Sequence, residues 1–118
     1  MISYHQTTKG RTLAEILPGE VITSAEEMPD IMADAGYNGC EGIILHAESL
    51  HPGFFDLKTR IAGEILQKFS NYRMRLAIVG DYSCYKSKSL QDFIRESNRT
   101  GIIRFVDSLE KALIDSDH

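Results

Sequence analysis

The hydrophobic pattern of the chain changes between period two and a helical period, and these changes outline its secondary structure. Residues 2–7 and 11–17 alternate weakly between polar and apolar positions and flank the turn signal Lys9-Gly10. This pattern predicts an antiparallel β-hairpin at the start of the chain. Pro18-Gly19 ends the hairpin, and Val21-Ile22 fits a further short extended piece.

Three short, predominantly apolar runs predict strands that are buried on both faces of a sheet. They cover residues 42–45, 75–80 and 102–106. Each run is preceded by a segment in which apolar residues recur every three or four positions, which indicates an amphipathic helix. The strongest of these helical patterns follows Asp56, which we expect to cap it.

The remaining helix signals lie at residues that favour helix ends. Thr23 or Ser24 caps the first helix, and Pro29 either begins its regular part or kinks it. Gly36 is expected as its left-handed C-terminal residue. Ser87 or Ser89 caps the helix that Gly101 ends, and a closing helix contains Leu109, Ala112 and Leu113.

The order of the elements predicts the fold class. Strands that alternate with helices are joined by right-handed crossovers and lie parallel to one another. We therefore predict a single α/β domain over residues 1–118, with a mixed, mostly parallel sheet of about five strands and helices on both faces. The N-terminal hairpin contributes the antiparallel edge of this sheet, and a length of 118 residues suits one domain.

Composition and charge exclude several classes of function. The chain has 13 Lys and Arg against 17 Asp and Glu, and the basic residues form no cluster, so we expect no nucleic-acid partner. No apolar run approaches the ~18 residues of a membrane span, so we expect no membrane contact. Two cysteines are too few for a disulfide scaffold, and the N-terminal residues do not resemble a signal peptide, so we expect a cytoplasmic protein.

The candidate functional residues lie where the predicted parallel strands end, because ligands of α/β sheets usually bind beyond the carboxyl ends of the strands. His46 ends the first apolar strand, and Asp81 follows the second one. The other polar residues of this rim come from the adjoining loops and helix starts. The candidate residues for binding a ligand or partner are His46, Glu48, Asp56, Thr59, Asp81, Tyr82 and Ser87.

Several of these residues have two interpretations. His46 is either an acid, base or proton switch, or a structural side chain bonded to a neighbouring loop. Thr59 is either a phosphate acceptor or a first-turn hydroxyl, and Asp81 either faces a ligand or closes an Asx turn. Phe54-Phe55 either plugs the core or faces a partner. No nucleophile elbow, metal-ligand spacing or phosphate-binding glycine loop occurs, so we assign no catalytic residue, metal or cofactor.

Four segments resemble a bacterial family of short stand-alone domains, the domain of unknown function 4180. They are residues 54–59 (Phe-Phe-Asp-Leu-Lys-Thr), 62–69, 76–81 and 87–94. The order of elements and the tail from Gly101 also resemble STAS domains, the fold of bacterial anti-sigma factor antagonists, which implies a STAS-like architecture. Those antagonists carry a phosphorylated serine in an Asp-Ser-Ser/Thr-Gly motif, and residues 56–60 here contain neither the Asp-Ser pair nor the glycine.

Two functional hypotheses follow. The first is a bacterial cytoplasmic protein that acts as a non-catalytic regulatory or protein-binding module with a STAS-like fold. The alternative is a small enzyme or small-ligand-binding protein that uses the polar rim at the carboxyl ends of the parallel strands. A protein partner and a homodimer formed through the edge of the hairpin are the expected associations.

Overall fold

The sheet has five strands that lie side by side in their order along the chain. The computed structural model describes residues 2–18, 25–50 and 52–114. β1 pairs antiparallel with β2, and the other neighbouring pairs are parallel, which confirms the mixed, mostly parallel sheet. The strands are β1 (Ile2–Gln6), β2 (Thr12–Ile16), β3 (Gly42–His46), β4 (Arg75–Val79) and β5 (Ile103–Val106).

Helices lie on both faces of the sheet, but unevenly. Successive parallel strands step in one direction across the sheet, so right-handed crossovers place the three intervening helices on the same side, the helix face. The last helix packs on the opposite side, the α4 face. None of the helices in the described residues has the length and apolar character of a membrane span. The helices are α1 (Met28–Tyr37), α2 (Ile61–Tyr72), α3 (Lys88–Thr100) and α4 (Leu109–Ala112).

Side chains that alternate along the strands divide the apolar core into two clusters. Strand residues such as Ile43 and Phe105 pack under α1, α2 and α3 in the larger cluster. The smaller cluster, on the α4 face, consists of Leu13, Ile44, Ala77 and Ala112. Because α4 has only four residues, this second face is thinly covered, and polar side chains are present on it.

Arg104 of β5 holds α4 against the sheet. Its guanidinium donates hydrogen bonds to the carbonyl oxygens of Ala112 (2.7 Å) and Ile114 (2.8 Å), which lie at the end of the helix. The β1–β2 turn adds a backbone bond from Thr8 to the carbonyl of Leu113 (2.9 Å). The short helix is thus fixed to both edges of the sheet, to β5 and to the hairpin.

Two of the predicted helix ends are wrong. Asp56 caps a short 3₁₀ turn, and α2 begins only at Ile61, because Arg60 has a left-handed backbone (φ 66°) that interrupts the helical path. α1 continues through Gly36, and the left-handed glycine after it is Gly39 (φ 80°).

The start of α1 settles one of the two interpretations of Pro29. A 3₁₀ turn precedes α1, and Pro29 stands in the first turn of the α-helix, where no intrahelical N–H is required. This confirms that it begins the regular part of the helix. The proposed caps Thr23 and Ser24 and the extended piece Val21-Ile22 lie outside the described residues.

Candidate functional site

The carboxyl ends of β3 and β4 enclose a small cavity, here called the notch. His46 and Val79 are register partners, so the segments that follow them leave the sheet side by side. The cavity measures about 370 Å³. Parallel pairing thus brings Glu48 and Asp81 together, as expected from the sequence. The residues that line the notch are Ala47, Glu48, Val79, Gly80, Asp81 and Tyr85.

Gly80 forms one wall of the notch. Only glycine fits at this position without a shift of the backbone. A Cβ atom at this position would lie 2.5 Å from the Cβ atom of Ala47. The Gly80 N–H also donates a hydrogen bond to the carbonyl of Val106 (3.0 Å). This wall of the notch is therefore backbone held by the sheet.

Asp81 closes a turn, which confirms the Asx interpretation, and it also lines the notch. Its Oδ1 accepts a hydrogen bond from the Ser83 N–H (2.9 Å). The backbone and side-chain hydrogen bonds from Ser83 hold the pKa of the Asp81 carboxyl below its usual value. The carboxyl group is consequently ionised at neutral pH, while Glu48, also exposed, supplies a second carboxylate.

Tyr85 contributes an aromatic wall to the notch. Its ring stacks on the buried ring of Phe55, with centroids 4.7 Å apart and an angle of 19° between the planes. Phe55 belongs to the Phe54-Phe55 pair, and both side chains are buried in the core. Their burial confirms that this pair plugs the core. The buried ring of Phe55 supports one face of the Tyr85 ring.

Tyr82 points into the protein and does not line the notch. Its hydroxyl donates a hydrogen bond to the carbonyl of Ile78 (2.5 Å), and the carbonyl of Val106 lies 3.3 Å away. Burial, with smaller contributions from Tyr85 and Asp107, raises the pKa of Tyr82 well above its ordinary value. Its hydroxyl therefore stays protonated and links the ends of β4 and β5.

We expect Tyr82→Phe to lower the free energy of unfolding by about 1 kcal/mol, since it removes the hydrogen bond that the part-buried hydroxyl donates to the carbonyl of Ile78. Chemical denaturation checks this value. The aromatic contact with Phe105 (5.5 Å between centroids) is kept, so the variant should remain folded. A loss near zero would mean that solvent replaces the hydroxyl.

Asp56, Thr59 and Ser87 satisfy backbone groups and lie outside the notch lining. Asp56 accepts from the Lys58 N–H (3.1 Å), and Ser87 caps α3 by accepting from the Leu90 N–H (3.3 Å). The Thr59 hydroxyl donates to the carbonyl of Gly53 (2.5 Å), with the carbonyl of Asp56 2.9 Å away. The structure thus brings two of the seven candidate residues, Glu48 and Asp81, into one cavity.

His46 takes part in a second polar arrangement, the His–Glu–His cluster of His5, Glu15 and His46. The carboxylate of Glu15 extends from β2 onto the α4 face, and its side chain is only 7% exposed. Its Oε1 lies 2.7 Å from Nε2 of His5, and its Oε2 lies 2.6 Å from Nε2 of His46. The cluster therefore connects β1, β2 and β3 through one shared carboxylate.

Electrostatics keep this shared carboxylate ionised. Burial by itself raises the pKa of Glu15, but the hydrogen bonds and charges of His46 and His5 outweigh it, so the pKa lies below the ordinary 4.5. Among the described residues, the Nδ1 atoms of His5 and His46 have no hydrogen-bond partner, and neither atom is fully buried.

Glu15 and His5 are not among the residues predicted from the sequence. The available signal is a single acidic residue within the apolar stretch Leu13-Ala14-Glu15-Ile16, because a carboxylate in a buried strand requires partners. The described residues contain no group of three or more His, Cys, Asp or Glu arranged to hold a metal ion. Hydrogen bonds to the Glu15 carboxylate hold the cluster together.

A larger cavity of about 710 Å³ lies on the helix face. Its lining mixes acidic and basic side chains with two apolar ones, so its charge indicates no single class of ligand. The lining residues are Glu26, Leu57, Arg60, Gly63, Glu64, Gln67, Lys68 and Phe93.

Comparison with known proteins identifies a family but no activity. A family model described as Domain of unknown function (DUF4180) matches residues 8–115. No curated protein and no solved structure matches the chain. The matched span includes Glu15, His46, Glu48 and Asp81, whereas His5 precedes it. The STAS-like architecture stays a prediction.

Proposed function

Since the chain belongs to the DUF4180 family, whose function is unknown, we propose from its own geometry that it is a non-catalytic protein-binding module whose notch receives a basic side chain of a partner protein. One observation carries this proposal. Two carboxylates, Glu48 and Asp81, stand in the same cavity as the fixed ring of Tyr85.

These groups suit a guanidinium or ammonium group. Carboxylates bind such cations through charge-assisted hydrogen bonds, and an aromatic face adds a cation–π attraction of about 0.5–1 kcal/mol at exposed sites. In the part of the chain that the structure describes, the lining of the notch contains no Lys or Arg that would neutralise the two carboxylates. A volume of about 370 Å³ lies at the small end of the range for ligand pockets and suits one side chain.

The surrounding hydroxyl groups support binding over nucleophilic catalysis. Thr59 and Ser87 hydrogen-bond to backbone groups that cap turns and helices, and Tyr82 is kept protonated by burial. The His–Glu–His cluster directs both Nε2 atoms at its own carboxylate. These contacts are typical of a rigid scaffold that presents a recognition site.

A small cationic ligand is the second candidate, because the notch also falls within the volume range of small-molecule pockets. A free amine or guanidine would meet the same two carboxylates and the same ring. The two candidates differ in whether neighbouring surface of a partner protein contributes to affinity.

A titration followed by NMR tests whether the notch binds cations. The probes are the N-acetyl amides of arginine and lysine, with that of citrulline as the neutral analogue of arginine. We expect the arginine compound to shift the backbone amides of Ala47, Gly80 and Asp81, and citrulline to leave them unchanged. Equal shifts with both compounds would contradict recognition of charge.

Paired variants locate the binding site. Glu48→Gln with Asp81→Asn removes both charges, and the new amide oxygen can still accept from the Ser83 N–H, so the turn is retained. We expect at least about a tenfold loss of affinity, or 1.4 kcal/mol. The control, Asp34→Asn with Glu41→Gln, removes the same charge at exposed positions outside the notch and should bind as the wild type does.

Cross-linking in cells that contain the protein separates the two candidates. The protein-binding proposal predicts a specific partner that the wild type and the control capture and that the double variant loses. If no such partner is captured while cationic compounds still bind the notch, the small-ligand candidate is correct.

A further inference from the structure

The β5 edge of the sheet is blocked by a side chain. Asn98 of α3 places its amide against the outward backbone groups of Phe105. Its Nδ2 donates to the Phe105 carbonyl (3.2 Å), and its Oδ1 accepts from the Phe105 N–H (2.7 Å). These are the two bonds that a further strand would form, so Asn98 prevents pairing at this edge.

The β1 edge has no comparable block among the described residues. The Thr7 N–H donates to the carbonyl of Arg11 (2.8 Å), which makes this a hydrogen-bonded pair of the hairpin. Such pairs alternate along antiparallel strands, so Ser3 and His5 face β2 with their backbone groups. The N–H and C=O groups of Ile2, Tyr4 and Gln6 consequently point outward, and within the described residues no side chain bonds to them.

The composition of β1 also leaves this edge unprotected. Edge strands are usually guarded by lysines, prolines, bulges or inward-pointing charges. β1 has an unbroken five-residue register with β2 and contains no Pro, Lys, Arg, Asp or Glu. The side chains of Ile2 (38% exposed) and Tyr4 (50% exposed) lie in solvent instead.

We propose that the protein forms a homodimer in which β1 pairs antiparallel with β1 of a second copy, around a two-fold axis at Tyr4. Tyr4 then faces Tyr4 of the partner subunit as an aromatic cross-strand pair. The outward-facing set of Ile2, Tyr4 and Gln6 is symmetric about this axis and uncharged, so the two copies meet without like charges. The two sheets become one continuous sheet of ten strands, five from each copy.

Sedimentation velocity over a range of concentrations tests the dimer. We expect the wild type to be dimeric and Tyr4→Lys to be monomeric, because the substitution places two ammonium groups opposite each other at the axis. Tyr72→Lys makes the same change at another exposed tyrosine (53% exposed) and should remain dimeric. A monomeric wild type, or a dimer that persists in Tyr4→Lys, would overturn the proposal.

Hydrogen exchange identifies the edge that pairs and does not depend on the variant. In the dimer, the amides of Tyr4 and Gln6 should be protected, and dilution to the monomer should expose them. Ser3 and His5 should stay protected in both states, since they bond to β2. Protection of Tyr4 that arises only when an extended peptide is added would replace the homodimer with a foreign strand.

The dimer is independent of the notch, which lies at the carboxyl ends of β3 and β4. The Glu48→Gln and Asp81→Asn double variant should therefore dimerise as the wild type does. Failure of either proposal would leave the other one standing.

Discussion

Replacing Glu15 with alanine is expected to lower the free energy of unfolding at pH 7 by about 2–3 kcal/mol. The substitution removes two charge-assisted hydrogen bonds and leaves the Nε2 donors of His5 and His46 unpaired. The desolvation cost of the buried carboxylate is recovered, which limits the loss. Urea denaturation measures the change, and Glu110→Ala at an exposed site should stay within about 0.5 kcal/mol of the wild type.

The stabilisation that Glu15 provides is expected to decrease as the pH falls. The folded-state pKa of Glu15 lies below the ordinary value of 4.5, so ionised Glu15 stabilises the fold above that pH. This contribution is lost as the pH falls through the lowered pKa. The stability difference between the wild type and Glu15→Gln should therefore be largest above pH 4.5 and shrink below it.

Taking the difference between two proteins removes the contributions of carboxyl groups that do not contact Glu15. The pKa values of Asp81 and Glu96 are also lowered, and their contributions cancel because both proteins contain them. A difference that stays constant between about pH 6 and pH 3 would show that the charge of Glu15 does not stabilise the fold.

Replacing Phe54 with alanine is expected to cost about 3–5 kcal/mol, the range for removing a large aromatic side chain from a core. Phe54 is 0% exposed, and its ring lies 5.0 Å from the centroid of Phe55 in an edge-to-face contact. Denaturation by guanidinium chloride measures the loss. Tyr37→Ala, at a side chain that is 93% exposed, is the matched aromatic control and should change the stability little.

Phe54 also affects the aromatic wall of the notch, because Phe55, its neighbour in the chain, supports the ring of Tyr85. Phe54→Leu keeps most of the buried apolar volume and should lose less stability than Phe54→Ala. If Phe54→Ala cost less than about 1 kcal/mol, the loop would not be anchored in the core, and the rigid aromatic wall of the notch would have to be abandoned.

The strands and their mostly parallel direction could be predicted because local patterns are strong there. Apolar runs such as residues 42–45 have few alternatives to a buried strand, and helices between them enforce parallel crossovers. Helix ends were less predictable. Asp56 is a good capping residue in either a 3₁₀ turn or an α-helix, and the left-handed backbone of Arg60 has no local signal because left-handed conformations favour glycine.

The candidate site was predictable where a topological rule applies. Glu48 and Asp81 meet in the notch because each follows the carboxyl end of a strand, and neighbouring parallel strands end at one edge. Asp56, Thr59 and Ser87 follow the same rule in the sequence, yet their side chains bond to nearby backbone. Short-range hydrogen bonds of this kind depend on the local chain path, which residue types do not specify.

Residue order was sufficient to define an α/β sheet with a hairpin edge, since the period of apolar positions and the turn residues act over short distances. The His–Glu–His cluster, the inward turn of Tyr82 and the block of β5 by Asn98 emerged only in three dimensions. Their hydrogen bonds join residues between 4 and 31 positions apart, the largest separation being that of Glu15 and His46. Strand register and helix packing decide such contacts, because they set which side chains of distant segments face each other.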